Sequence, residues 1–336
     1  MDLGGWLGAN VSAEGRRADI AALARAAELA KCDLTTEMVG EFPELQGVIG
    51  GLYARTQGES EAVARAIYGH YRPAGPDDSL PETLEGSLLA LADKLDSIAA
   101  CFAVGLVPTG SRDPFGLRRA GSGIVRIIAE KGLRLSLPAA AREAIATVGR
   151  GGIRVEAAAE GAVAKFLEER ARHLFREGMG FAYDEVNAAF APGWDDLLDT
   201  GARLEALRAI RATPDFEPVA AAFKRIRNIL EQAGGGDRAG RPIDNNLIEA
   251  GPERELYDRF LKVRQRVEEF RERQRYQEAL RQIATLRPQV DLFFDKVLVM
   301  EKNEAVRENR LTLLAHLLRE FSTVADFSEV VTGPKS

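Results

Sequence analysis

Over residues 81–102 the apolar side chains Leu84, Leu88, Leu91, Leu95, Ile98 and Phe102 recur at intervals of four, three, four, three and four. That rhythm keeps them on one stripe of an α-helix, and no strand keeps such a set on one face. The stripe must be buried, so the segment demands neighbouring elements. The opposite stripe holds Gly86, Ala90, Asp93, Ser97 and Ala100, small enough for a second helix or a ligand to approach. Asp93, in the middle of that narrow face, is shielded and needs a partner.

Similar patterning runs through most of the chain. An Ala-rich helix is predicted over residues 19–40, with Ile20, Leu23, Ala27, Leu34 and Met38, and a second starts near Pro43. Residues 71–78 and 108–112 are loops by their Pro, Gly and Asp content. Asp113 and Pro114 read as N-cap and first residue of another helix. The glycines of residues 148–152 mark the best domain boundary, giving predicted domains 1–150 and 151–336. Beyond it come helices near 162–177, 183–189, 195–213 and 219–233, then a flexible loop at 234–240. One very long helix is expected over 252–286, a restart at Pro288, and a last helix opening at Asn303. That helix should bury Val306, Leu313, Leu317 and Phe321. There is no hairpin signature, and the fold class is all-α.

Composition narrows the chemistry. At roughly 150 residues per domain, 336 residues make about two domains. Lys and Arg number 45 against 51 Asp and Glu, a net charge of −6. That excludes a generally basic coat and leaves local basic patches open. No apolar run reaches the roughly 20 residues that cross a bilayer, and the first residues lack a secretion signal. Two cysteines, Cys32 and Cys101, build neither a disulfide framework nor a Cys-rich zinc site. A cytoplasmic chain with no membrane partner is expected. The three histidines, His70, His173 and His316, are widely spaced, and neither a P-loop nor a GxGxxG segment is present.

Residues 31–47, KCDLTTEMVGEFPELQG, strongly resemble the β subunit of bacterial glycyl-tRNA synthetase. Further segments match in that family's order: HYRP at 70–73, ADKLD at 92–96, PTGSRDPF at 108–115, LRRA at 117–120 and AFKRIRNIL at 222–230. NRL at 309–311 and ADFS at 325–328 complete the set. The resemblance runs from about Leu7 to Val330 and corresponds to the C-terminal half of that subunit. A piece of a longer protein and a naturally short relative both remain open. It implies an HD-like helical domain followed by an anticodon-binding bundle similar to that of arginyl-tRNA synthetase. The implied partners are glycine tRNA and the α subunit or the β N-terminal half, with no DNA. ATP and Mg²⁺ would act on the α subunit, so no cofactor and no catalytic residue are expected here.

Working HD phosphohydrolases hold a divalent metal with histidines, a His-Asp dipeptide and a later Asp. The segment around Asp93 resembles the one bearing the last Asp, but the dipeptide is missing and His70 is the only histidine before residue 151. Asp93, His70, Glu37 and Glu41 therefore mark a degenerate site without metal. Asp33, Glu37 and Glu41 recur every four residues, which predicts one shared helix face, read first as a solvated acidic stripe and second as carboxylates that Mg²⁺ could use. Phosphohydrolase activity on nucleotides is the alternative function, and a subunit-assembly module without RNA binding is another.

Binding RNA needs Lys and Arg grouped on a surface. In the first domain Arg112, Arg118, Arg119 and Arg126 form one group, beside a loop and helix N-terminus suited to a phosphate. In the second, Lys224, Arg225 and Arg227, with Arg307, Asn309 and Arg310, match the family pattern. The alternating charges of residues 262–275 read as a salt-bridged surface. Phe293 and Phe294 are candidates for stacking on a base, with at least one of them core.

Overall fold

The computed structural model describes residues 3–214 and 216–331; residues 332–336, counted in the second predicted domain, lie outside the described residues. The chain is helical, as the periodicity predicts, with a two-stranded antiparallel pairing of Ser12–Ala13 (β1) with Leu133–Arg134 (β2). No helix among the described residues is long and apolar enough to cross a membrane. Two compact units are present: Met1–Gly178 with Asp195–Leu198, and Met179–Trp194 with Asp199–Ser336.

The first unit contains α1 (Leu3–Asn10), α2 (Ile20–Leu29), α3 (Glu37–Glu41), α4 (Val48–Thr56), α5 (Glu61–Gly69) and α6 (Leu84–Ala103). These are followed by α7 (Leu117–Lys131), α8 (Leu137–Arg150) and α9 (Ala159–His173). Helix α6 is the axis of this unit, packed against α1, α2, α5, α7, α8 and α9. Leu88, Leu91, Leu95, Ile98 and Phe102 of the predicted stripe are buried, and so are Gly86 and Ala90 opposite them. A helix covered on both sides needs both stripes.

The glycines near residue 150 end α8 without dividing the units. Val163, Phe166 and Leu167 of α9 are buried, and Phe166 meets Phe102 of α6 at 5.3 Å between ring centroids. Apolar burial therefore keeps α9 in the first unit.

The helix predicted over 19–40 also stops short. Asp19 caps α2 as an Asp there should, accepting from Ala22 N at 3.0 Å. The chain then turns at Lys31 (φ 70°) into a short 3-10 turn, Cys32–Thr35. Asp33 is the reason. Its buried carboxylate accepts from Gly47 N at 2.6 Å and Gly50 N at 3.2 Å, tying the turn to the start of α4. These charge-assisted bonds hold the backbone in a path that a continuous helix would forbid. Gly51 lets α4 lie against α5, since a Cβ there would stand 2.7 Å from Ala64 O.

The second unit contains α10 (Tyr183–Phe190), α11 (Leu197–Arg211), α12 (Phe216–Gln232) and α13 (Pro252–Glu272). It ends with α14 (Tyr276–Ala284), α15 (Arg287–Lys296) and α16 (Glu304–Phe321). Leu256, Phe260, Val263 and Val267 repeat at four, three, four along α13 and join Phe223, Ile226, Leu280, Phe293, Leu317 and Phe321 in one core. Phe223 and Phe260 each meet the Phe321 ring edge-on, at 6.1 and 5.8 Å.

The helix predicted over 252–286 is two helices. Gln274 adopts φ 55°, and Gln274 N and Arg275 N bond back to Arg271 O and Phe270 O at 2.9 and 2.8 Å. This is a Schellman-type stop. The polar run 271–275 offers nothing to bury, while Tyr276, Leu280 and Ile283 must return to the core. Asn303 caps α16 as predicted, accepting from Ala305 N at 3.0 Å. Leu313, Leu317 and Phe321 are buried and Val306 only half so.

Candidate functional site

In the second unit, α12 sends Phe223 and Ile226 inward and leaves Lys224 and Arg225 exposed. Neither cation has an acidic partner among the described residues. The Arg225 guanidinium lies over the Phe294 ring at 4.2 Å. That contact holds a charged plane rigid at the surface, a geometry that serves a phosphate or a base face. Phe293, one residue before, is fully buried and is core.

The other predicted contacts of this unit are engaged internally. Arg227 pairs with Asp326 and, at 3.1 Å, with Glu329. Arg307 donates to Glu301 O at 3.2 Å, with Glu304 at 3.9 Å. Asn309 and Arg310 lie on the buried side of α16. Asn309 exchanges hydrogen bonds with the backbone of Asp244, at 2.8 and 2.9 Å. Arg310 is 2% exposed, and its guanidinium meets Glu253 at 2.9 Å, Glu249 at 2.8 Å and Leu298 O at 3.0 Å. A residue so enclosed cannot touch RNA, so Asn309 and Arg310 are corrected to structural roles. Their match to the family pattern reflects the closing of α16 on the start of α13.

In the first unit, Arg112 and Arg119 are exposed and Arg118 half-buried, none with an acidic partner among the described residues. Arg126 is different. It bonds Glu130 at 2.8 Å and the carbonyls of Gly75, Pro76 and Asp78 at 3.2, 2.7 and 3.2 Å. Those bonds fix the 71–78 loop and remove Arg126 from the basic group. The expected N-cap is shifted as well. Helix α7 starts at Leu117 after Gly116, and the Asp113 carboxylate reaches forward to Leu117 N and Arg118 N at 2.8 and 2.9 Å. The helix N-terminus expected to suit a phosphate is thus filled by the chain's own carboxylate.

His70 and Asp93 do come together, lining a cavity of about 260 Å³ with Lys31 and Asp96. Glu37 and Glu41 are exposed on α3 and do not line it. With Asp33 turned inward, the predicted acidic stripe does not exist. The Lys31 ammonium is bonded to Asp93, the partner that this carboxylate needs. No group of three or more metal-capable side chains occurs among the described residues.

His70 is fully buried at the end of α5, with Nδ1 2.6 Å from Ile67 O. A carbonyl accepts, so Nδ1 carries the proton and Nε2, which has no hydrogen-bond partner among the described residues, is the bare nitrogen. Burial holds this imidazole below its usual pKa of 6.5, against the upward pull of the Ile67 carbonyl and Asp93. The unfolded chain therefore binds the proton more readily, and stability is lost as pH falls through the 6.5 region. Melting of the first unit should shift downward between pH 7 and pH 5, and by less in His70→Gln; equal shifts in both proteins would refute this.

Lys94 was not singled out by sequence. It is 6% exposed on α6, and its ammonium donates to the carbonyls of His70, Tyr71 and Arg72 at 3.3, 3.2 and 3.1 Å. A signal existed: a lysine four residues from both Ala90 and Ile98 lies on an apolar strip of the helix. Lys94 and Arg126 pin the 70–78 loop from two sides.

The second unit therefore presents a helical bundle with free cations on α12, and over residues 219–324 it matches the DALR anticodon binding domain. This is the class of aminoacyl-tRNA synthetase chains that carry a helical anticodon-binding domain. Residues 3–191 match the glycyl-tRNA synthetase beta subunit, and the chain belongs to that family. It is 50% identical over 334 residues to the glycine–tRNA ligase beta subunit of Acidobacterium capsulatum, covering 97% of this chain and 47% of that protein. The Myxococcus xanthus subunit is 43% identical over 333 residues, covering 97% and 46%. That of Magnetococcus marinus is 43% identical over 323 residues, covering 94% and 46%. The chain spans about half the length of the curated relatives it matches.

Proposed function

We propose that this chain is the tRNA-recognising, non-activating part of a glycyl-tRNA synthetase β subunit. Its second unit binds the anticodon arm of glycine tRNA and its first unit approaches the acceptor arm. Glycine activation, with ATP and Mg²⁺, belongs to a separate α subunit. Binding far from the reacting end places the terminal ribose for that subunit, which converts affinity into positioning. The observation that carries this reading is the pair Lys224 and Arg225 on α12: both lie within the anticodon-binding match and neither has a salt-bridge partner among the described residues. Arg112, Arg118 and Arg119 supply the corresponding charge in the first unit.

In a filter-binding assay at several salt concentrations, glycine tRNA should bind more tightly than other tRNAs. The double variant Lys224→Glu, Arg225→Glu should weaken it by roughly tenfold or more, with a shallower salt dependence. Equal affinity for all tRNAs, or no loss in the variant, would count against the reading. Association with an α subunit without RNA affinity would replace it by subunit assembly. The phosphohydrolase alternative has no comparable support, since Lys31 is the cation held by Asp93.

A further inference from the structure

A second basic site lies in the same unit, away from Lys224 and Arg225 in sequence. A groove of about 710 Å³ is lined by Ile210 of α11 and Thr213 just after it, Arg281 and Ala284 of α14, and Arg287 and Pro288 of α15. Its charge is unbalanced. Arg281 is exposed and makes no salt bridge among the described residues; it lies close enough to Glu278 to favour that carboxylate's charged form, while Glu278 itself is bonded to Arg275. Among the described residues Arg287 pairs with Asp291, at 3.5 Å, and Asp291 is the one carboxylate of the described lining. Arg259 of α13 stands behind the lining residue Thr285, donating to its hydroxyl at 2.9 Å. Three guanidiniums thus converge where, among the described residues, two acids offset them: Asp291, and the Glu278 that also serves Arg275. The remaining wall, Ile210, Ala284 and Pro288, is apolar.

Charge on one side and an apolar wall on the other fit a particular shape of ligand. A phosphodiester meets the guanidiniums while the attached sugar or base lies on the apolar wall, as in grooves that hold unpaired nucleotides. Resting on the tRNA reading above, we infer that this groove binds one backbone phosphate of the RNA, with Arg281 its principal ligand and Arg287 and Arg259 alongside. A base-paired helix presents no splayed nucleotide to such a wall, so the occupant is a loop nucleotide. The site adds an anchor on α14 and α15 to the one on α12.

The test uses the full 336-residue chain and glycine tRNA in filter binding from low to high salt. Arg281→Ala should lower the slope of log affinity against log salt by about 0.7, the value for one phosphate of a single strand. Arg281→Glu should weaken binding by roughly tenfold while its thermal unfolding matches wild type, because the side chain is exposed. Tight wild-type binding with no change in either variant would overturn the inference and leave the tRNA reading standing. Absence of tRNA binding by wild type would overturn both. Efficient competition by AMP, lost in Arg281→Ala, would identify a free nucleotide as the occupant and overturn the assignment to RNA backbone.

Discussion

Replacing Arg310 by methionine should destabilise the second unit by about 3–5 kcal/mol, the typical result of removing one member of a buried ion pair. Glu253 is 1% exposed, and its Oε2 accepts from Arg310 Nε at 3.0 Å. Its other oxygen has no hydrogen-bond partner among the described residues, so without the guanidinium the carboxylate is left as an unpaired charge in the interior. The carbonyl of Leu298 loses its donor as well. The second member of the test is Glu253→Gln in the same chain. An amide carries no charge to bury, so the double variant should recover a large part of the loss, which urea unfolding monitored by circular dichroism will measure. A single variant that unfolds like wild type would show that Arg310 is not internal. Reduced tRNA affinity with undisturbed stability would return it to the RNA surface, where its sequence first placed it.

Lys94→Met should lower the stability of the first unit by about 2 kcal/mol, because the buried carbonyls that the ammonium satisfies lose their donor. For a unit of this size that corresponds to roughly 4–8 °C in Tm. The effect is smaller than at Arg310 because burial itself opposes the charge, pushing the Lys94 pKa down to about 8, with Asp93 and Asp78 pulling it back. The sign of the pH dependence follows. Between about 8 and the usual 10.5 the unfolded chain holds the proton that the folded chain has released, so stability contributed here rises with pH across that window. Below it the penalty of burying the ammonium is present in full. The methionine variant should lack this rise, and amide exchange should quicken in the 70–78 loop, which Arg126 then holds alone. Unchanged exchange and unchanged melting would mean the three carbonyls are satisfied in another way.

Much of the fold was legible in the chain. The stripe from Leu88 to Phe102 marked the central helix, and Asn303 marked the start of the last one, because periodicity and capping are local properties. The halts at Lys31 and Gln274 were not legible, since each depends on a group brought from elsewhere: the amides of Gly47 and Gly50 in one case, the core reclaiming Tyr276 in the other. The division of the chain into units misled for a similar reason. Glycines near residue 150 signal a flexible joint, while Phe166 decides by its burial which unit the next helix joins.

The candidate site divides along the same line. Residue types and their order were enough to identify the family and to point to the basic segments of α7, α12 and α16. Which of those cations remain available was decided only in three dimensions: Lys224, Arg225, Arg112 and Arg119 are exposed and Arg118 half-exposed, without a salt-bridge partner among the described residues, while Arg126, Arg227 and Arg310 are spent on carboxylates and carbonyls. A guanidinium carries the same charge wherever it stands in a sequence. What it can bind depends on which acceptors the fold has already placed within reach, and those can come from far along the chain, as Glu329, 102 positions on, does for Arg227.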